Sequence, residues 1–205
     1  MRTGDFIAVL RRLPRDRALK EIAGWKRAEE LWPQPMTPEV RGGVEEAMSW
    51  WEANGATDEW WTPPEVFDAL GVEFDLDVAA PVYGTHVPAS CFLTEDGLEA
   101  EWFGFVWMNA PFGGRNGLKP WLDRFVEHGN GIALTPDRTS APWWQPTARK
   151  VDLVFFVARK VQFLRPDGSR GKSPSTGTTL FGMGPKAHYA FANAARAGFG
   201  VTLRP

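Results

Sequence analysis

Four short apolar runs set the limits on what this chain can fold into. They are FDLDVAA (Phe74 to Ala80), FGFVWM (Phe103 to Met108), GIALTP (Gly131 to Pro136) and VDLVFFVA (Val151 to Ala158). Each reads as a strand bounded by turn-forming residues. Pro63 to Leu70 reads as a helix before the first run, and Leu118 to Glu127 as another between the second and third, with Trp121, Leu122 and Phe125 inward. Strands alternating with helices predict an α/β fold with a mostly parallel sheet. VQFLRPDGSRGKSPSTGTTLFGM (Val161 to Met183) reads as a final antiparallel hairpin with a polar, basic tip. Open α/β sheets bind ligands beyond the carboxyl ends of their strands, so the residues following each run are the first candidates for chemistry.

The second run continues into Asn109-Ala110-Pro111-Phe112. An exocyclic amino group on a base is a poor nucleophile because its lone pair is delocalised into the ring. Two acceptors held against its two N–H groups draw the nitrogen toward a tetrahedral geometry. The Asn109 side-chain oxygen is one candidate acceptor and the main-chain carbonyl of Ala110 the other, with Pro111 fixing the turn. Phe112 is suited to stacking on the flat face of a base. Asn and Pro also favour turns for purely local reasons, so the tetrapeptide alone is open to the plainer reading of a strand that ends in a turn.

Its neighbours in the chain narrow the choice. EWWTPPEVFDAL (Glu59 to Leu70), FDLDVAA, CFLTEDGLEAEW (Cys91 to Trp102), the tetrapeptide, ALTPDRTSAPWW (Ala133 to Trp144) and, more loosely, VQFLRPDG (Val161 to Gly168) follow one another in order. As an ordered set, spanning about 59–184, they resemble the phage-type, Dam-like DNA N6-adenine methyltransferase family. The resemblance implies a Rossmann-like class I methyltransferase fold over residues 57–205, preceded by an N-terminal helical extension over 1–56. It implies S-adenosylmethionine as cofactor, S-adenosylhomocysteine as product, and a base flipped out of DNA, with duplex DNA the expected partner and a bacterial cytoplasm the expected location, in a phage or prophage context. The implied catalytic residues are Asn109, Ala110, Pro111 and Phe112. Trp61, Thr62, Pro63, Asp77, Ala79, Ala80 and Asp96 are implied at the cofactor. In the family's motif the position of Ala110 is proline; alanine keeps the carbonyl but loses rigidity. An active, slower enzyme is the expectation. A module that binds cofactor or DNA without turnover is the alternative, as is methylation of RNA, cytosine N4 or protein glutamine.

Several residues carry two readings. Thr62 and Glu65 have the spacing of a capping box, with Pro63 in the first turn, so Thr62 serves either as a helix cap alone or also as a cofactor contact. Asp96-Gly97 is either a tight turn or a ribose contact. Gly114, Arg115 and Asn116 lie in a glycine-rich loop that can close over a base or follow a phosphate. Arg138 is delivered to the same sheet edge as Asn109, and Trp143 either packs or lines the base pocket. Arg165, Arg170 and Lys172, at the hairpin tip, are the candidate DNA contacts; a solvated loop is the alternative.

Charge supports a division of labour. From Gly42 to Glu101 there are fourteen Asp and Glu and no Lys or Arg, whereas from Trp102 onward fourteen Lys and Arg face five Asp and Glu. A cationic cofactor suits the first stretch and a phosphate backbone the second, although an ordinary surface with segregated charge accounts for the same numbers. The net charge of −2 leaves DNA affinity to a local basic face. The single cysteine, Cys91, excludes an internal disulfide and a cysteine-cluster metal site, and is expected to be buried beside Phe92 and Leu93. His86, His128 and His188 follow no metal-ligand spacing, so no metal is expected. No apolar run is long enough to span a bilayer, and a soluble monomer is the expectation.

Overall fold

The computed structural model describes residues 60–81, 85–112, 117–165, 168–171 and 174–205. The expected N-terminal extension lies outside them, as do Gly114, Arg115, Asn116 and Lys172. The described residues all belong to one contact-dense unit, Glu59–Pro205.

The elements follow the alternation read from the apolar runs. In chain order they are α1 (Pro64–Leu70), β1 (Phe74–Asp77), β2 (Ala89–Phe92), β3 (Val106–Met108), α2 (Leu118–His128), β4 (Gly131–Pro136), α3 (Trp144–Ala148), β5 (Leu153–Val157), β6 (Thr178–Met183), α4 (Pro185–Arg196) and β7 (Gly200–Leu203). They build one seven-stranded sheet in the order β2-β1-β3-β4-β6-β5-β7. The first four strands in that order are parallel, and β6, β5 and β7 continue it with antiparallel pairing. The terminal hairpin is therefore wider than the sequence predicts. Its arms are β5 and β6, joined across 158–177, and β7 adds a further antiparallel strand on the outer edge.

Helices cover both faces because the central strands are apolar on both. Phe105 and Trp107 of the β3 segment point to one core, together with Ile132, Leu134, Phe155 and Leu180, and α1 and α4 close it with Phe67, Leu70, Ala190 and Phe191. Val106 and Met108 point to the other core, with Ala133, Val154 and Phe181, beneath Leu122 and Phe125 of α2 and Trp144 of α3. This period-two division is what makes Val106–Met108 and Gly131–Leu134 fully buried strands. Gly71 ends α1 and Gly129 ends α2 in left-handed conformations (φ 62° and 74°), each donating its N–H back to a carbonyl four residues earlier.

Two local expectations fail for identifiable reasons. Thr62 is not the cap of α1: the cap position is Pro63, extended and without a side-chain hydrogen bond, because the Thr62 hydroxyl and the Glu65 carboxylate are both engaged elsewhere. Cys91 is exposed rather than buried, since CFL begins on β2, the edge strand, whose Ser90, Cys91 and Phe92 all face solvent.

Gly131 begins β4 where the backbone of β3 approaches closely. A Cβ there would lie 2.5 Å from the Val106 carbonyl oxygen, with the Phe125 ring behind it. Gly131→Ala is expected to destabilise the protein by about 1–3 kcal/mol through overpacking, read as a lowered urea midpoint at unchanged m-value.

Candidate active site

Parallel pairing brings the ends of β1, β3 and β4 to one edge of the sheet. Asp77 lies opposite Trp107 in the β1–β3 register, so Asn109, two residues later, emerges beside the turn that follows Asp77. The Asn109 amide nitrogen donates to the main-chain carbonyl of Trp60 and to the hydroxyl of Thr62, each at 3.2 Å. A carbonyl only accepts, so the first contact fixes which end of the amide faces inward. Oδ1 is left without a donor among the described residues and is available to an outside N–H. Ala110 is buried among the core residues beneath α2 and α3, Pro111 is exposed, and Phe112 is half-buried.

Phe112 forms part of the wall of a cavity of about 270 Å³ at the end of β4, with Trp60, Pro136, Arg138, Phe163 and Thr178 among its other lining residues. Of the predicted substrate residues, Arg138 is thus placed with the tetrapeptide. Trp143 is not: it is buried in the core beside α3. Arg165 and Arg170 sit in the segment joining β5 to β6. Arg165 bonds to Ser169 across a tight turn, and Arg170 reaches 2.7 Å to Glu65 on α1. That guanidinium holds the Glu65 carboxyl below its usual range. Both partners are largely exposed, so the pair adds little stability.

Of the cofactor candidates, Asp77, Ala79 and Ala80 lie at the end of β1, and Trp61, Thr62 and Pro63 on the segment that leads into α1. Asp77 is 2 % exposed. Its carboxylate accepts from the Thr85 hydroxyl at 2.6 Å and from the Ala79 N–H at 3.2 Å. Burial raises its pKa above the ordinary value of 3.8, and the Thr85 and Ala79 hydrogen bonds and the nearby His86 only partly offset that cost. Ala80, just after this turn, is buried, and Thr62 is buried against Asn109 and His86. The Trp61 main chain pairs with Leu164 through two hydrogen bonds of 2.9 Å, while its indole Nε1 is buried without a protein partner. Asp96 adopts a left-handed conformation (φ 52°) and its carbonyl accepts from Glu99 and Ala100, so it makes a turn. Gly97 presses that turn onto the Val78 carbonyl so closely that a Cβ has no room. Both readings of Asp-Gly are thereby compatible: the main chain turns and the carboxylate stays exposed. A buried carboxylate and an unpartnered buried N–H suit a small molecule with a cationic group and acceptors, as S-adenosylmethionine is. Among the described residues no group of three His, Cys, Asp or Glu side chains is placed to hold a metal ion, and no helix is long and apolar enough to cross a membrane.

Two features were not legible as site elements. His86 Nε2 lies 2.5 Å from the Thr62 carbonyl and must carry the proton in that contact; its ring packs 5.0 Å from Trp61 and its Nδ1 is buried without a partner. It thus supports the segment that orients Asn109, from a position 24 residues away that no spacing rule connects to Thr62. Arg159 and Lys160 follow β5 at the same sheet edge. The signal for these was present, a basic pair directly after an apolar strand.

A buried carboxylate at the end of β1 and an amide held by two hydrogen bonds after β3 thus share one edge of an α/β sheet, and Phe112, three residues beyond that amide, lines the cavity at the end of β4. The family model for DNA N-6-adenine-methyltransferase (Dam) matches residues 52–183, nearly two thirds of the chain, and the chain belongs to that family. No curated protein and no solved structure matches it.

Removing the His86 donor leaves the Thr62 carbonyl unpaired. His86→Ala is expected to lower stability by about 1–3 kcal/mol, and His86→Gln, which keeps an N–H donor, to recover part of it, as read from urea unfolding at pH 8.

Proposed function

We propose that this chain transfers a methyl group from S-adenosylmethionine to N6 of adenine in DNA, on a base flipped into the cavity beside Phe112. The observation that carries the reading is the amide of Asn109, whose nitrogen is held by Trp60 and Thr62 so that its oxygen is left free among the described residues, in a tetrapeptide whose Phe112 lines a cavity. In this reading Oδ1 and the Ala110 carbonyl accept from the two amino N–H groups, and the nitrogen gains nucleophilic character as it becomes pyramidal. Phe112 stacks on the base, while Trp60 and Phe163 enclose it and exclude water. Asp77 holds the cofactor's cationic end, with Trp61, Thr62, Pro63, Ala79, Ala80 and Asp96 around it. The cofactor, when bound, supplies an activated methyl on a sulfonium. No general base of special pKa is needed, because the nitrogen becomes acidic once it is cationic. A Rossmann-like class I methyltransferase fold is part of the proposal, supported by the antiparallel β6 inserted between β4 and β5 beside a parallel half-sheet. The catalytic unit is taken as residues 57–205.

Transfer of labelled methyl to unmethylated duplex DNA tests this. N6-methyladenine is the expected product, and Asn109→Ala is expected to reduce the rate by on the order of a hundredfold or more, the scale of losing one preorganised polar group at a reacting centre. Parallel reactions on single-stranded DNA, RNA and cytosine-containing duplexes identify the substrate. Cofactor binding without transfer to any of them favours a binding module.

Asp77 gives a second prediction. Its raised pKa means that stability from this group falls as pH rises from 3.8 through the raised value, because the charged form is the one that burial penalises. A cation needs that charged form, so cofactor affinity is expected to weaken as pH falls through the same window. At pH 7.5, Asp77→Asn should leave the urea midpoint unchanged or higher, since the Thr85 hydroxyl can reverse its hydrogen bond. It should weaken cofactor binding by about tenfold or more, the worth of a charged hydrogen bond. Calorimetric titration checks it.

A further inference from the structure

The segment holding the base cavity has a second side. Trp61 and Leu164 form a two-hydrogen-bond bridge between two extended stretches, 60–63 and 161–164. Their side chains are shared between two cavities. Trp60 and Phe163 line the 270 Å³ cavity, whereas Pro63, Val161 and Gln162 line another, of about 500 Å³.

The larger cavity has an apolar floor that includes Val66, Val157 and Phe199, and a rim of Arg159, Lys160 and Arg170. Arg170 is engaged by Glu65, but Arg159 makes no hydrogen bond or ion pair among the described residues. Lys160 Nζ donates only to the Ser175 carbonyl at 3.3 Å, and Ser175 itself lines the base cavity. Three cations against one carboxylate thus border a concavity beside the place where the base is proposed to sit. A guanidinium with its fork unused matches the paired non-bridging oxygens of a phosphodiester. Successive nucleotides of one strand are joined through such groups, so a strand whose base enters the 270 Å³ cavity carries its phosphates past the neighbouring one, whose Gln162 and Lys160 adjoin Phe163 and Ser175 of the first.

We propose that the Arg159–Lys160–Arg170 cavity receives the phosphodiester backbone of the target strand beside the flipped base. The proposal rests on the methyltransferase reading for the position of the base. It adds Arg159 and Lys160, which follow β5, to Arg170, one of the tip residues that the sequence singles out. These contacts position the strand and carry no base recognition.

Binding of a fluorescent duplex by the full chain is measured across a salt series, for wild type, Arg159→Ala/Lys160→Ala, the charge-keeping Arg159→Lys/Lys160→Arg, and Lys186→Ala. Lys186 lies at the opposite edge of the sheet, at the start of α4, and serves as the control. Loss of two phosphate contacts is expected to flatten the log–log salt slope by about two and to weaken binding roughly tenfold near 0.15 M salt, equally for duplexes of different sequence. The charge-keeping variant and Lys186→Ala should keep the wild-type slope. An unchanged slope in the double alanine variant overturns the proposal, as does an equal change in Lys186→Ala. Methyl transfer is followed in the same samples. Wild-type transfer with an unchanged slope sinks this cavity's role alone. A flattened slope without transfer by wild type sinks the enzymatic reading and leaves the cavity as a DNA-binding surface.

Discussion

Parallel pairing of β1 with β3 is the constraint from which the rest of the site follows. It sets Asp77 against Trp107, and so carries a buried carboxylate and the Asn109 turn to the same sheet edge within one strand spacing. The carboxylate has no reason to be there on stability alone. Burying an ionised carboxylate is costly unless it is compensated, and here two hydrogen bonds compensate it incompletely. The aromatic core beneath, where Phe67 meets Trp107 edge-on at 4.9 Å and Phe74 stacks on Phe105 at 5.1 Å, holds the two strands in that register. Packing under the sheet thereby holds polar groups at its edge in positions they would not choose.

Alanine in place of the motif's first proline looks less disruptive in this setting. A proline restrains a turn through its own ring. At Ala110 the restraint comes from surroundings: the residue is 2 % exposed, the preceding side chain is held by two hydrogen bonds, and Phe112 packs against both cores. A turn fixed at both ends and buried in the middle has little freedom left for a pyrrolidine ring to remove.

What the sequence made legible was whatever depends on short range. GIALTP was read with its boundaries intact because a strand buried on both faces is a continuous apolar run, and α2 because Leu118, Leu122 and Phe125 repeat at helical spacing. β2 was missed: Ala89–Phe92 lies on the edge, and ASCF has neither a continuous apolar run nor alternation. The capping box at Thr62 and Glu65 failed because each side chain found a distant partner, Asn109 in one case and Arg170 in the other, and no local rule weighs such competition. The roles of His86 and of the Trp61–Leu164 bridge were closed for the same reason. Of the candidate site, the residues on strand ends were readable, and the supports brought from far along the chain were not.

The bridge between 60–63 and 161–164 also limits how this region can change in length. Gln162 and Phe163 face different cavities, so inserting or deleting one residue between them and Leu164 would exchange their faces, turning Gln162 toward the cavity that Phe112 lines and Phe163 away from it. Beyond the bridge Arg165 pairs with Ser169 through the main chain, Arg165, Ser169 and Arg170 are exposed, and length there leaves the faces of Gln162 and Phe163 intact. Tolerance to insertion thus changes abruptly at Leu164: a residue added in the tip leaves both faces as they are, whereas one added just before Leu164 swaps them.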